Sequence, residues 1–135
     1  METQLLRDAK ACVENSPFGK ILRIEILDVK EGYVKARMPF LPEFQNSHGD
    51  CHGGALYAFA DQCGGIAAQT HGCIVTAISG NMQYMRAGRG TEYVSCEAKT
   101  VKPGKRITVE EVSVFDDKGN LLDIGNFTYF VVKDN

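Results

Sequence analysis

From Gly53 to Thr70 the chain carries one formal charge, Asp61. The stretch GGALYAFADQCGGIAAQT is its one long buried helical segment, and it limits what the rest can become. At about 100° per residue, Leu56, Phe59, Ala60, Cys63 and Ala67 fall on one side, suited to packing on a sheet. The opposite side holds Ala58, Asp61, Gly65 and Ala68, with Gly64 and Tyr57 toward one flank. A surface helix would carry Lys and Glu there; this one carries small residues. Glycines inside a helix cost about 1 kcal/mol each relative to alanine. Small residues let another backbone approach closely, so this face is expected to be covered by a second subunit.

The segments around this helix are strands. Residues 2–14 form an amphipathic helix with Leu5, Ala9, Cys12 and Val13 on one stripe, stopped by Pro17. Alternation and β-branching predict strands over 21–29 and 33–40 around the turn Lys30-Glu31-Gly32. A loop follows over 41–52, then the long helix over 53–70. Four further strands are expected over about 74–86, 91–102, 105–116 and 120–132, separated by AGRG, KPG and DDKG. Short turns make neighbouring strands antiparallel. The expectation is one α+β domain, 1–135, in which a six-stranded antiparallel sheet wraps the long helix and residues 1–19 supply an N-terminal helix and turn.

Composition excludes several classes. The chain has 135 residues, 44% apolar and 24% charged, enough for one core and too apolar for disorder. No apolar run reaches the roughly 18 residues of a membrane span, and the N-terminus lacks the pattern of a signal peptide. A cytoplasmic protein is expected, without a membrane partner. The five cysteines are odd in number and show no CxxC spacing, so reduced thiols, most of them in the core, are expected. Cys51, His52, Cys63, His71 and Cys73 are metal-ligand types, but their spacing matches no zinc pattern and no metal is expected. Neither Cys51 nor Cys63 is marked as an activated nucleophile.

The net charge of −2 argues against nucleic acid as a partner. Residues 86–106 nevertheless hold Arg86, Arg89, Lys99, Lys102, Lys105 and Arg106 against Glu92 and Glu97. That basic segment suits a small polyanion such as a nucleotide phosphate, or is a solvated strand face.

The loop NSHGDCHGG leads into the long helix. Gly53-Gly54 at its start leaves backbone N–H groups free for an anion, or for a carbonyl oxygen gaining charge. Asp61 lies about two turns further, roughly 12 Å from Gly53 at 1.5 Å per residue. A pocket combining the two would draw Gly53 from one chain and Asp61 from another. Asn46 and His52 flank the loop; Asn can hold a water or a carbonyl and His can orient it, while loop-internal hydrogen bonding is the alternative for both. His48-Gly49 lies in the bend between them.

These residues carry a resemblance. LPEFQNSHGDCHGGALYAFADQCGGIAAQ, with VTAISGNMQYMRAG and VKPGKRITVEEVSVFDDKGNLL, resembles the hotdog-fold acyl-CoA thioesterases of the phenylacetate-pathway type, within the 4-hydroxybenzoyl-CoA thioesterase-like superfamily. The similarity runs from about residue 20 to the C-terminus. Asn46, His52, Gly53 and Asp61 meet the family's spacing. The resemblance implies dimers with paired sheets, often homotetramers, and sites shared between subunits. It implies Asp61 as general base or nucleophile, the Gly53 N–H as polariser of the thioester carbonyl, Asn46 as positioner of water or substrate, and His52 as support for Asn46 and the turn. It places acyl-CoA against Gly54, Tyr84, Arg86, Lys102, Gly104, Lys105 and Arg106, with no cofactor beyond the coenzyme A of the substrate. One position departs. Some relatives have Ser where this chain has Ala77, with Thr76 and Ser79 nearby. A hotdog hydratase or dehydratase and a non-catalytic acyl-CoA-binding module are the competing readings on the same fold.

Overall fold

The computed structural model describes residues 2–134; Met1 and Asn135, which the expected single domain includes, lie outside the described residues. The first helix, α1, spans Gln4–Glu14. Thr3 caps it by accepting the Leu6 N–H, and Asn15 closes it. Ala9 and Val13 are buried, with Leu5, Leu6 and Cys12 partly so.

The stretch after α1 departs from the strand expected over 21–29. Residues 21 and 22 do not begin a strand: Pro17–Leu22 form a second short helix, α2. Ser16 caps it through the Gly19 N–H, Pro17 occupies its first turn, and Arg23 ends it in the left-handed conformation at φ 56°. Proline at the first helical position loses no hydrogen bond, so Ser16-Pro17 starts a helix as readily as it stops one.

Strands β1 (Glu25–Lys30) and β2 (Tyr33–Pro39) follow as a hairpin whose Gly32 has φ 74°. A short 3-10 turn over Pro42–Phe44 leads through the loop to α3, Gly53–Gln69. Then come β3 (Cys73–Tyr84), β4 (Tyr93–Lys102), β5 (Ile107–Phe115) and β6 (Leu121–Asp134). All six strands form one antiparallel sheet in the order β1-β2-β4-β5-β6-β3.

The core lies between α3 and the inward face of this sheet. Leu56, Phe59, Ala60, Cys63 and Ala67 are all buried, as the helical stripe requires. They meet Val34, Ala36 and Met38 of β2, Val94, Cys96 and Ala98 of β4, Val112 and Val114 of β5, and Phe127 and Tyr129 of β6. Small residues on both layers let the helix settle close to the strands. Ala68, assigned by the helical wheel to the outer side, is fully buried too. The stripe in contact with the sheet is therefore broader than the wheel allowed, because the sheet curls around the helix. Cys51, Cys63, Cys73 and Cys96 are buried thiols outside any disulfide and Cys12 is half-buried.

Two acids stand on the inward face. Successive residues of a strand alternate between faces, so Thr108, Glu110, Val112 and Val114 of β5 point inward together. Their register partners on β6 are Tyr129, Phe127, Gly125 and Asp123. Glu110 is buried but satisfied, accepting hydroxyl hydrogen bonds from Thr100 at 2.5 Å and Thr108 at 2.7 Å. Burial still pushes its carboxyl above the ordinary range. Asp123 is equally buried, and neither of its oxygens has a partner.

Candidate active site

The loop before α3 is built by its own polar groups. The Asn46 side-chain oxygen accepts the N–H groups of His48 (2.9 Å) and Asp50 (3.1 Å), and the Asn46 N–H reaches the Asp50 carbonyl (2.8 Å). Asp50 is buried and takes a bidentate pair from Arg89, at 2.6 and 2.9 Å. The guanidinium holds the Asp50 carboxyl below the usual range. Backbone bonds from Cys51 to Gly88 and from His52 to Phe44 complete the seam, so the loop is tied to the segment between β3 and β4.

This seam sets the start of α3. His52 is its N-cap, its Nδ1 accepting the Gly54 N–H at 2.8 Å. His52 is thus a support for the turn; its hydrogen bond goes to Gly54 rather than to Asn46. Among the described residues, no acceptor within the chain takes the Gly53 N–H. The Gly53 carbonyl receives the Tyr84 hydroxyl at 2.8 Å, and a Cβ at Gly53 would stand 3.3 Å from that ring. A cavity of about 250 Å³ opens beside it, lined by Asn46, Gly53, Leu56, Tyr84, Arg86 and Asp123 among others. His48 is exposed on the loop and Gly49 takes φ 83° in the bend.

Asp61 lies elsewhere. It is half-buried on the outer flank of α3 and lines a separate concavity with Gln62, Gly65, Thr76, Ala77 and Tyr129. The Tyr129 hydroxyl sits 2.8 Å from the Asp61 carbonyl and 3.0 Å from its Oδ1, so one proton is shared between backbone and carboxylate. Burial, with Asp61 beside it, drives the Tyr129 phenol far above its ordinary pKa and keeps it a donor. Gly64 makes this contact possible: a Cβ there would lie 2.6 Å from the Tyr129 oxygen. One of the two helix glycines therefore makes room for a side chain of the same molecule. β3 bulges between Ala77 and Ser79, beside this concavity.

The basic turn is at the far end of the sheet from Gly53. Tyr84 pairs with Asp123 at one end of β6, whereas Thr76 and Ile107 both pair with Phe130. Seven residues of strand separate the two positions, about 23 Å at 3.3 Å per residue. Lys102, Gly104, Lys105 and Arg106 are all exposed at that far end, on the side of Thr76 and Asp61. The structure thus groups Asn46, His52, Gly53, Gly54, Tyr84 and Arg86 in one half, and Asp61 with the basic turn in another. Asp123, Tyr129 and Arg89 were missed among the site residues. Asp123 and Tyr129 share parity with Phe127 on β6, the signal that could have placed them on the inward face.

Against known proteins, residues 48–122 match the model of the thioesterase superfamily, and the chain belongs to that family. It is a hotdog-fold thioester hydrolase. A putative esterase of Archaeoglobus fulgidus is 30% identical over 122 residues, covering 90% of this chain and 79% of that one. The acyl-coenzyme A thioesterase PaaI of Escherichia coli is 25% identical over 118 residues, covering 87% and 84%. The solved E. coli PaaI structure superposes with a TM-score of 0.91, at 22% identity over 97% of this chain and 95% of that one. A hypothetical thioesterase of Streptococcus pneumoniae, solved with coenzyme A, gives a TM-score of 0.79 at 23% identity, covering 83% and 90%. No helix among the described residues is long and apolar enough to cross a membrane.

Proposed function

We propose that the protein hydrolyses acyl-CoA thioesters in a site shared between two copies of the chain, as a cytoplasmic homodimer or a homotetramer of paired dimers. The Gly53 N–H of one copy polarises the thioester carbonyl and stabilises its oxyanion. Asp61 of the other copy takes the proton of an attacking water and passes it to the thiolate as the C–S bond breaks, or itself attacks the carbonyl, expelling the thiolate and forming an anhydride that water then hydrolyses. The products are a carboxylic acid and the thiol of coenzyme A. Besides Tyr129, Thr76 lines the Asp61 concavity and is the aliphatic hydroxyl available to assist there, since Ala77 offers none and Ser79 is not part of that lining. Exposed Lys102, Lys105 and Arg106 suit the phosphates of coenzyme A. The acyl-coenzyme A thioesterase name of the E. coli relative and the coenzyme A in the S. pneumoniae structure support the substrate class. Four buried thiols and one half-buried, none in a disulfide, suit a reducing compartment.

The observation that carries this reading is the separation of the two chemical halves. Gly53 and Asp61 are about two helical turns apart and border different cavities. One chain alone cannot bring both to one carbonyl. A second copy has a surface to dock on: the small outer face of α3 at Ala58 and Gly65, and the free edge of β3, where Ile74 and Ile78 are exposed.

The test is complementation. Asp61→Asn removes the base and is expected to lower turnover by about 10²–10⁴. Gly53→Pro removes one N–H at a helical position that accepts proline, and is expected to be similarly impaired. Mixing the two inactive variants and allowing exchange should restore thiol release, because a mixed dimer contains one intact site. Folded variants that stay inactive together would defeat the shared site. Full activity of Asp61→Asn alone would defeat the base.

A further inference from the structure

The inward face of the sheet treats its two acids differently. Glu110 has a hydroxyl donor on each oxygen. Asp123 has none: it is 0% exposed, both oxygens lack a partner, and no ion pair reaches it among the described residues. Its titratable neighbours cannot serve. The Tyr84 hydroxyl gives its proton to the Gly53 carbonyl. Cys51 is a weak donor whose thiol is itself pushed up by burial and by Asp123. Arg86 lines the same cavity but is exposed and forms no pair with Asp123. A buried, unpaired carboxyl is costly and calls for a partner.

The place of Asp123 says where that partner comes from. It lines the cavity that also holds Gly53, Leu56 and the rim residue Tyr84. The basic turn suited to the phosphates of coenzyme A lies at the other end of the sheet, beside Asp61, so a thioester whose carbonyl sits on the Gly53 N–H leaves this cavity to its acyl chain. We propose that Asp123 is a specificity-determining residue selecting acyl groups that carry a basic amine. The ammonium would bring both hydrogen-bond donors and the opposite charge that a carboxylate in this cavity lacks. A hydroxyl would bring a donor and leave the charge uncompensated. This inference rests on the proposal that Gly53 receives the carbonyl. An apolar acyl chain would leave Asp123 buried against hydrocarbon, which is how such a site rejects it.

Two isosteric pairs test this. Thiol release from ω-aminohexanoyl-CoA and heptanoyl-CoA is compared for the wild type, Asp123→Leu and the same-shaped Asp123→Asn. Binding of free ω-aminohexanoate and heptanoate is measured by calorimetry on the same proteins. The wild type should favour the amine about tenfold or more, the effect of a charge-assisted hydrogen bond. Asp123→Asn should lose the preference and Asp123→Leu should reverse it. An equal preference in wild type and both variants overturns the role of Asp123. If neither thioester is cleaved while the free acids keep the expected order, the catalytic reading fails and the Asp123 assignment stands.

Discussion

At the scale of single residues, the outcome turns on which proton goes where. Tyr129 shares its hydroxyl between the carbonyl and the carboxylate of Asp61, and Gly64 leaves the room for it. Tyr129→Phe removes one oxygen and keeps the packing. It should lower kcat about tenfold with little change in KM, and it should add almost nothing to the loss already caused by Asp61→Asn. Gly64→Ala should mimic it, although alanine favours the helix. Asp123 yields a second prediction, in pH. Burial pushes its carboxyl up to about 7, whereas the unfolded chain releases that proton near the ordinary value of 3.8. The folded state therefore holds the extra proton between those values, and stability falls as pH rises through that window. Asp123→Asn does not titrate. Its Tm relative to the wild type should be least favourable near pH 4 and rise to a plateau above about pH 7. A difference in Tm that is flat with pH would contradict the buried, unpaired carboxyl.

At the scale of elements, local signals and tertiary packing share the work. Both ends of α1 and the start of α2 follow from Thr3, Asn15, Ser16 and Pro17, residues whose capping chemistry is local. The apolar run at Ile21-Leu22 was open to two readings, since so short a run fits a strand or a helix equally. The start of α3 was legible for the same local reason. His52 directly precedes Gly53, and its cap and the free N–H need only neighbouring residues. Loop-internal hydrogen bonding was one legible reading of Asn46, but the choice of His48 and Asp50 as its partners was not, because it depends on the bend at Gly49. Nor was the Asp50–Arg89 pair visible, since it joins segments 39 residues apart.

At the scale of the whole molecule, the question is what covers α3 and the edge of the sheet. Gly65 borders the Asp61 concavity, and a Cβ there would make only ordinary contact with Tyr129, so the chain itself does not require a glycine. Gly65→Arg is expected to leave the monomer folded, split the dimer in sedimentation, and abolish thiol release. A folded, active monomer would remove the shared site from consideration. The same edge explains the length of β3: a 12-residue strand with one paired side presents a long row of free backbone groups.

The sequence by itself determined α1, α3 and the six strands though not α2, which face of α3 is apolar, and that Asp61 stands alone among small residues. These properties depend on periodicity and on neighbours within a few positions. Tertiary structure decided the strand order, with β3 carried across to pair with β6 at the edge. It also decided that Tyr129 meets Asp61 and that Asp123 stands beside Gly53 without a donor. Those pairings join residues 68 and 70 positions apart, and such contacts exist only once the sheet has closed around the helix.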